Sequence, residues 1–101
     1  MQPMKLPLFF ILTWDNNGRQ LTVGHKVNGH LSLYIFTDQT KAEAYRSGLT
    51  GAHVLGRSDR SDDWRGFALT LRDSSEFTHV VLDDDASSQM PLDEFISRLP
   101  S

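Results

Sequence analysis

The stretch from His79 to Ser87, "HVVLDDDAS", sets three carboxylates directly behind an apolar run. At the end of a strand such groups can ligate a hard cation, exchange protons with a substrate, hold basic groups of a protein partner, or keep a turn wet. Two unit charges ~6 Å apart in water repel by only about 0.7 kcal/mol, so an exposed triplet needs no metal to be tolerable. Successive residues of an extended chain point in opposing directions, so Asp83, Asp84 and Asp85 cannot all close on one ion; a metal site would need Asp38 to reach across. A solvated turn, with "DASS" as loop before the last helix, is the simplest reading, and a metal-dependent hydrolase built on Asp38 and this cluster is its rival.

Other chemistries find less support. The chain has no cysteine, which removes disulfides, thiol nucleophiles and zinc-thiolate sites together and suits a reducing compartment. His25, His30, His53 and His79 lack a paired-ligand spacing. "SGLTG" is not a nucleophile elbow, and "GRSDRS" lacks the phosphate-loop pattern. Gly56-Arg57-Ser58 ahead of a helix could cradle an anion, but Asp59, Asp62 and Asp63 crowd that end with negative charge. No cofactor is implied, and metal ligands are not assigned.

The elements that must position these groups follow from turn and periodicity signals. Asn17-Gly18 and Asn28-Gly29 sit between apolar runs and predict two-residue hairpins with positive φ at both central residues. That geometry sets Val27 opposite His30 and His25 opposite Ser32, and across the first turn Trp14 opposite Leu21 and Leu12 opposite Val23. One face would then carry Phe10, Leu12, Trp14, Leu21, Val23, Tyr34 and Phe36, and the other Phe9, Ile11, Leu31, Leu33 and Ile35. Apolar residues on both faces require helices on both sides.

Three helices are available. The first starts at Thr37 or Asp38, runs through "TKAEAYRS" to Gly48, and buries Ala42, Tyr45 and Leu49. The second starts after Ser58 or Ser61 and repeats Trp64, Phe67, Ala68 and Leu71 at helical spacing. The third follows Pro91 with Leu92, Phe95, Ile96 and Leu99 and stops before Pro100. Short strands at 52–56 and 78–83 lie between them.

The expected fold is therefore α+β (α/β, two or three layers). An N-terminal antiparallel meander leads into two crossover units, in the order β-β-β-α-β-α-β-α, around one five-stranded mixed sheet. Strands three, four and five should run parallel, bringing Asp38, Arg57 and Asp83-Asp84-Asp85 to one carboxyl edge, the expected binding site. Trp14 and Trp64 read as core.

With 101 residues, 39% of them hydrophobic and 23% charged, the chain is one domain over residues 1–101. A net charge of −3 and a pI near 5.7 disfavour nucleic acid. The apolar run Leu6 to Leu12 contains Pro7, is short for a signal sequence and reads as a buried strand; no segment is long enough to span a membrane.

The segments "LSLYIFTDQTKAEAYRSGL" and "THVVLDDDASSQMPLDEFISRL" resemble the amino-terminal domain of the bacterial SseB-like (serine-sensitivity enhancing) proteins. The likeness lies in Phe36-Thr37 introducing a helix with Ala42-Glu43-Ala44, and in a last strand, turn and closing helix. Asp83-Asp84 stand where that family often has an Asn-Pro turn. The resemblance implies a soluble bacterial α/β domain without an established catalytic centre, an interaction or regulatory module, and the lack of cysteine makes the cytoplasm the expected compartment. The expected role is to bind a protein partner, or a second copy as a homodimer, through a sheet edge or an aromatic-bearing face.

Overall fold

The computed structural model describes residues 4–14, 16–51, 53–74 and 76–100. Among them the order is β1 (Leu8–Trp14), β2 (Gln20–Thr22), β3 (Gly24–Val27), β4 (His30–Ile35), α1 (Gln39–Ser47), β5 (Val54–Ser58), α2 (Ser61–Ser74), β6 (His79–Leu82), β7 (Asp85–Pro91) and α3 (Leu92–Arg98). The α+β class holds, but the strands form two sheets, β2-β1-β5 and β3-β4-β6-β7, in place of one five-stranded sheet.

The two sheets are joined at a corner. Between β2 and β3, the Val23 N–H donates to the Ile11 carbonyl (3.0 Å), while the Val23 carbonyl accepts from the Tyr34 N–H (3.3 Å). One bent segment thus changes partner from β1 to β4, and Gly24 occupies the bend. A Cβ there would collide with the Ser32 carbonyl oxygen and the Phe77 ring, so only glycine lets the backbones approach this closely. Phe9 and Phe36 then exchange two N–H···O bonds of 2.8 Å, tying the start of β1 to the end of β4.

The second hairpin has the expected register. Asn28 (φ 52°) and Gly29 (φ 83°) form its turn, with Val27 opposite His30 and His25 opposite Ser32. The first hairpin does not. Of Asn17 and Gly18 only the glycine takes the left-handed backbone (φ 78°), and Leu21 pairs with Thr13, and Thr22 with Leu12. A shift of one residue turns every side chain of β1 to the opposite face. Phe9 and Ile11 therefore pack with Tyr34, Phe36, Ala42 and Val81 beneath α1. Leu8, with Phe10 packed alongside, joins Leu33, Ile35, Trp64, Val80 and Phe95 on the α2–α3 side.

The parallel arrangement is corrected in part. β4 and β6 are parallel neighbours, Leu33 beside Val80 and Ile35 beside Leu82. β5 instead pairs antiparallel with β1, where Gly56 faces Phe10: a Cβ on Gly56 would lie 2.5 Å from that ring, so the missing side chain makes room for it. Ala52, the expected first residue of this strand, lies outside the described residues.

The last third also departs from expectation. Leu82 pairs with Asp85 across Asp83 (φ 54°) and Asp84 (φ 58°), a two-residue hairpin turn that leads into β7. "DASS" is strand, not loop. Aspartate is among the few non-glycine types that accept positive φ. Two of the three acidic residues therefore shape the turn.

The helices are where their stripes put them. Asp38 caps α1, its carboxylate accepting from the Thr40 N–H (2.7 Å) and the Lys41 N–H (3.3 Å). α2 carries Asp62 and Asp63 in its first turn and Arg72 in its last, matching its dipole. It sinks Trp64 and Ala68 into the core beside Leu92 and Phe95 of α3. Each large apolar side chain buried this way contributes roughly 1.5–3 kcal/mol.

Candidate functional site

Four of the expected site residues reach the same end of the molecule, around the exit of β4 and the β6–β7 turn. Asp83 Oδ1 accepts from the Thr37 N–H (2.8 Å), and Oδ2 from the Thr37 hydroxyl (2.7 Å), with Lys41 Nζ 3.8 Å away. Asp38 is committed to its cap. Asp85 turns to Ser87, accepting from its hydroxyl (2.7 Å) and its N–H (3.0 Å); these bonds hold its carboxyl below the usual carboxylate range. Asp84 is exposed and lies beside the Tyr34 hydroxyl.

Arg57 stands apart. It is opposite Phe9 on β5, two strand spacings from Phe36, or about 10 Å. It borders a separate small cleft of about 220 Å³ together with Ser58, Asp63, Phe10, Trp64 and Phe67. Among the described residues no three His, Asp or Glu side chains are grouped to hold a metal ion.

What gathers around Asp83 and Asp84 is an open cleft of about 570 Å³ between the turn, α1 and β3. Its aromatic wall was not anticipated. Tyr45 of α1 lies 5.4 Å, ring to ring, from both Tyr34 and Phe36. The Tyr45 hydroxyl meets His25 Nε2 at 2.6 Å, and the His25 ring stands edge-on to Tyr34.

Burial first, then the Tyr34 group and the Asp84 charge, push the Tyr45 phenol above its ordinary pKa. Burial, the Asp84 charge and a hydrogen bond to Asp84 do the same at Tyr34. Both phenols stay protonated. The Tyr45 hydroxyl donates to a bare His25 Nε2 or accepts from a protonated one, according to the imidazole tautomer. The contact fixes the two side chains against each other over the cleft.

Each member of this wall had a signal in the sequence. Across Asn28-Gly29, His25 opposes Ser32, which makes Tyr34 its diagonal neighbour on one face. Tyr45 belongs to the stripe of α1 that faces the sheet. Joining the two requires knowing that α1 packs over that face, which spacing alone does not supply.

A second, more apolar cleft of about 490 Å³ opens between the β1–β2 hairpin and α2. Phe10, Leu12, Leu21, Thr22, Phe67, Leu71 and Phe77 line it. Leu21 is 44% exposed at its mouth, and Trp14, read as core in the sequence, is 47% exposed at the end of β1. β2 is one of the two outer strands of its sheet.

Comparison with family models, with curated proteins and with solved structures finds no match for this chain. No helix among the described residues is long and apolar enough to cross a membrane.

Proposed function

We propose that this domain is a non-enzymatic binding module that takes an extended segment of a protein partner along the outer edge of β2. The partner strand would bond to the free side of β2 and drop alternate apolar side chains into the cleft beside it. The observation that carries this reading is Leu21, an apolar residue exposed at the mouth of a cleft whose lining is apolar but for Thr22. Apolar surface gathered in this way favours association, whereas a scattered exposed leucine would mean nothing.

The SseB-like resemblance and a reducing, cytoplasmic setting belong to the same proposal; they rest on the segments quoted above and on the absence of cysteine. Selection of random peptides on the immobilised domain tests the proposal. The expected winners alternate apolar and polar residues and lose binding to Leu21→Glu, while the unfolding midpoint of that variant stays unchanged. Absence of enrichment, or enriched peptides indifferent to Leu21→Glu, would overturn it.

A further inference from the structure

The cleft under α1 carries a different chemistry. We infer that it binds a cation on an apolar stem, an alkylammonium or alkylguanidinium group, with Asp84 meeting the charge and the Tyr45 ring meeting the stem. The inference does not depend on the proposed function, which concerns the other cleft.

The polar groups on the wall are not equally available. Both oxygens of Asp83 already accept from Thr37, and Lys41 sits over the same carboxylate. The Tyr45 hydroxyl is engaged with His25. Asp84 accepts from the Tyr34 hydroxyl, yet its carboxylate is exposed and its charge is not met by Lys41, which pairs with Asp83. What the cleft offers a ligand is therefore one negative charge beside electron-rich ring faces. An anion is repelled by that charge, and a neutral apolar ligand leaves it unused. A cation on a hydrocarbon stem uses both features.

The turn does not explain the charge. At φ 58° Asn would serve the backbone as well as Asp and would also accept from the Tyr34 hydroxyl, so neither the turn nor that bond calls for a charge. The volume, about 570 Å³, lies within the range of small-ligand clefts, and Ala44 and Leu49 continue the apolar wall. The same chemistry has two sources, a free amine and a lysine or arginine side chain of a partner.

The test is a heteronuclear NMR titration of the whole chain with n-butylammonium, n-butylguanidinium and a blocked Gly-Lys-Gly peptide, with n-butanol and butyrate as controls. Saturable shifts at residues 44, 45 and 84 are expected with the cations and not with the controls. Asp84→Asn should weaken binding by about tenfold or more, whereas Tyr45→Phe, which keeps the ring, should retain it. Binding of the free cations points to a small molecule; binding of the peptide alone points to a partner's side chain. Unsaturable shifts, equal binding of n-butanol, or Asp84→Asn binding like the parent would each overturn the inference. The unfolding midpoint of Asp84→Asn guards against simple loss of structure.

Discussion

Asp83 holds Thr37 by two hydrogen bonds, one to the backbone N–H and one to the hydroxyl, across 46 residues of sequence. The turn after β6 is thereby fastened to the exit of β4, the point at which α1 begins. Charge-assisted bonds of this kind contribute about 1.5–3 kcal/mol to stability. Asp83→Gly removes them but suits the positive φ, so it should cost about 2 kcal/mol. Asp83→Ala adds the left-handed strain of roughly 1 kcal/mol, and Asp83→Asn, which still accepts from the N–H, should cost least. Urea denaturation of the three, with Thr37→Val for a double-mutant cycle, checks this order; no coupling between positions 37 and 83 would disprove the fastening.

Two glycines should respond in opposite directions. Gly24→Ala drives a Cβ into the Ser32 carbonyl and the Phe77 ring at the bend that joins the sheets, and should destabilise by about 2 kcal/mol or more. Gly66 lies inside α2 with nothing within 4 Å of its would-be Cβ. Gly66→Ala should stabilise by roughly 0.5–1 kcal/mol through helix propensity alone. Thermal melts of both variants suffice, and a neutral Gly24→Ala would mean that the corner is looser than described.

The two tryptophans report on different surfaces. Trp64 is 1% exposed and donates its indole N–H to the Ser58 carbonyl (2.9 Å), while Trp14 is 47% exposed. Trp64→Phe should cost roughly 1–3 kcal/mol, from a lost bond and an unfilled space; Trp14→Phe should stay within about 0.5 kcal/mol. Acrylamide should quench Trp14 emission strongly and leave that of Trp64, so a peptide docking on β2 should reduce quenching. Equal quenching of both single-tryptophan variants would contradict the placement.

How far this could be read from the sequence depended on whether a local signal fixed its own geometry. Asn28-Gly29 did so because both residues accept positive φ, and the Trp64 and Phe95 stripes did so because helical spacing identifies a buried face. Asn17-Gly18 carried the same dipeptide, yet only Gly18 adopts the left-handed backbone, and one extra loop residue exchanged the partners of Phe9 and Phe10. β7 was hidden because Asp85, Ser87 and Ser88 are poor strand formers, held there by Asp85–Ser87 bonds and by the Ser88 hydroxyl, which accepts from the Leu82 N–H. The Tyr34–Tyr45–His25 wall depends on which helix covers which face, a tertiary choice that no single window contains.

His30 and His79 provide the last prediction. They begin the parallel strands β4 and β6, and their rings stack at 4.0 Å with 25° between planes. Lone pairs of stacked imidazoles run side by side and do not converge on a metal, so the contact is one of packing. Burial, then the nearby His30, lowers the His79 pKa below its ordinary 6.5. Between that lowered value and 6.5 the unfolded chain binds more protons than the folded one. Stability therefore rises with pH through this window, is fully present above about 6.5, and is lost as pH falls toward the folded value. The Asp85 carboxyl acts lower down, its contribution failing only below about 3.8. Urea midpoints should thus drop between pH about 7.5 and about 5. His30→Gln removes only the smaller of the two causes and should bring the His79 titration seen by NMR partway upward, while His79→Gln should flatten the drop. A slope unchanged in His79→Gln would place the acid sensitivity elsewhere in the molecule.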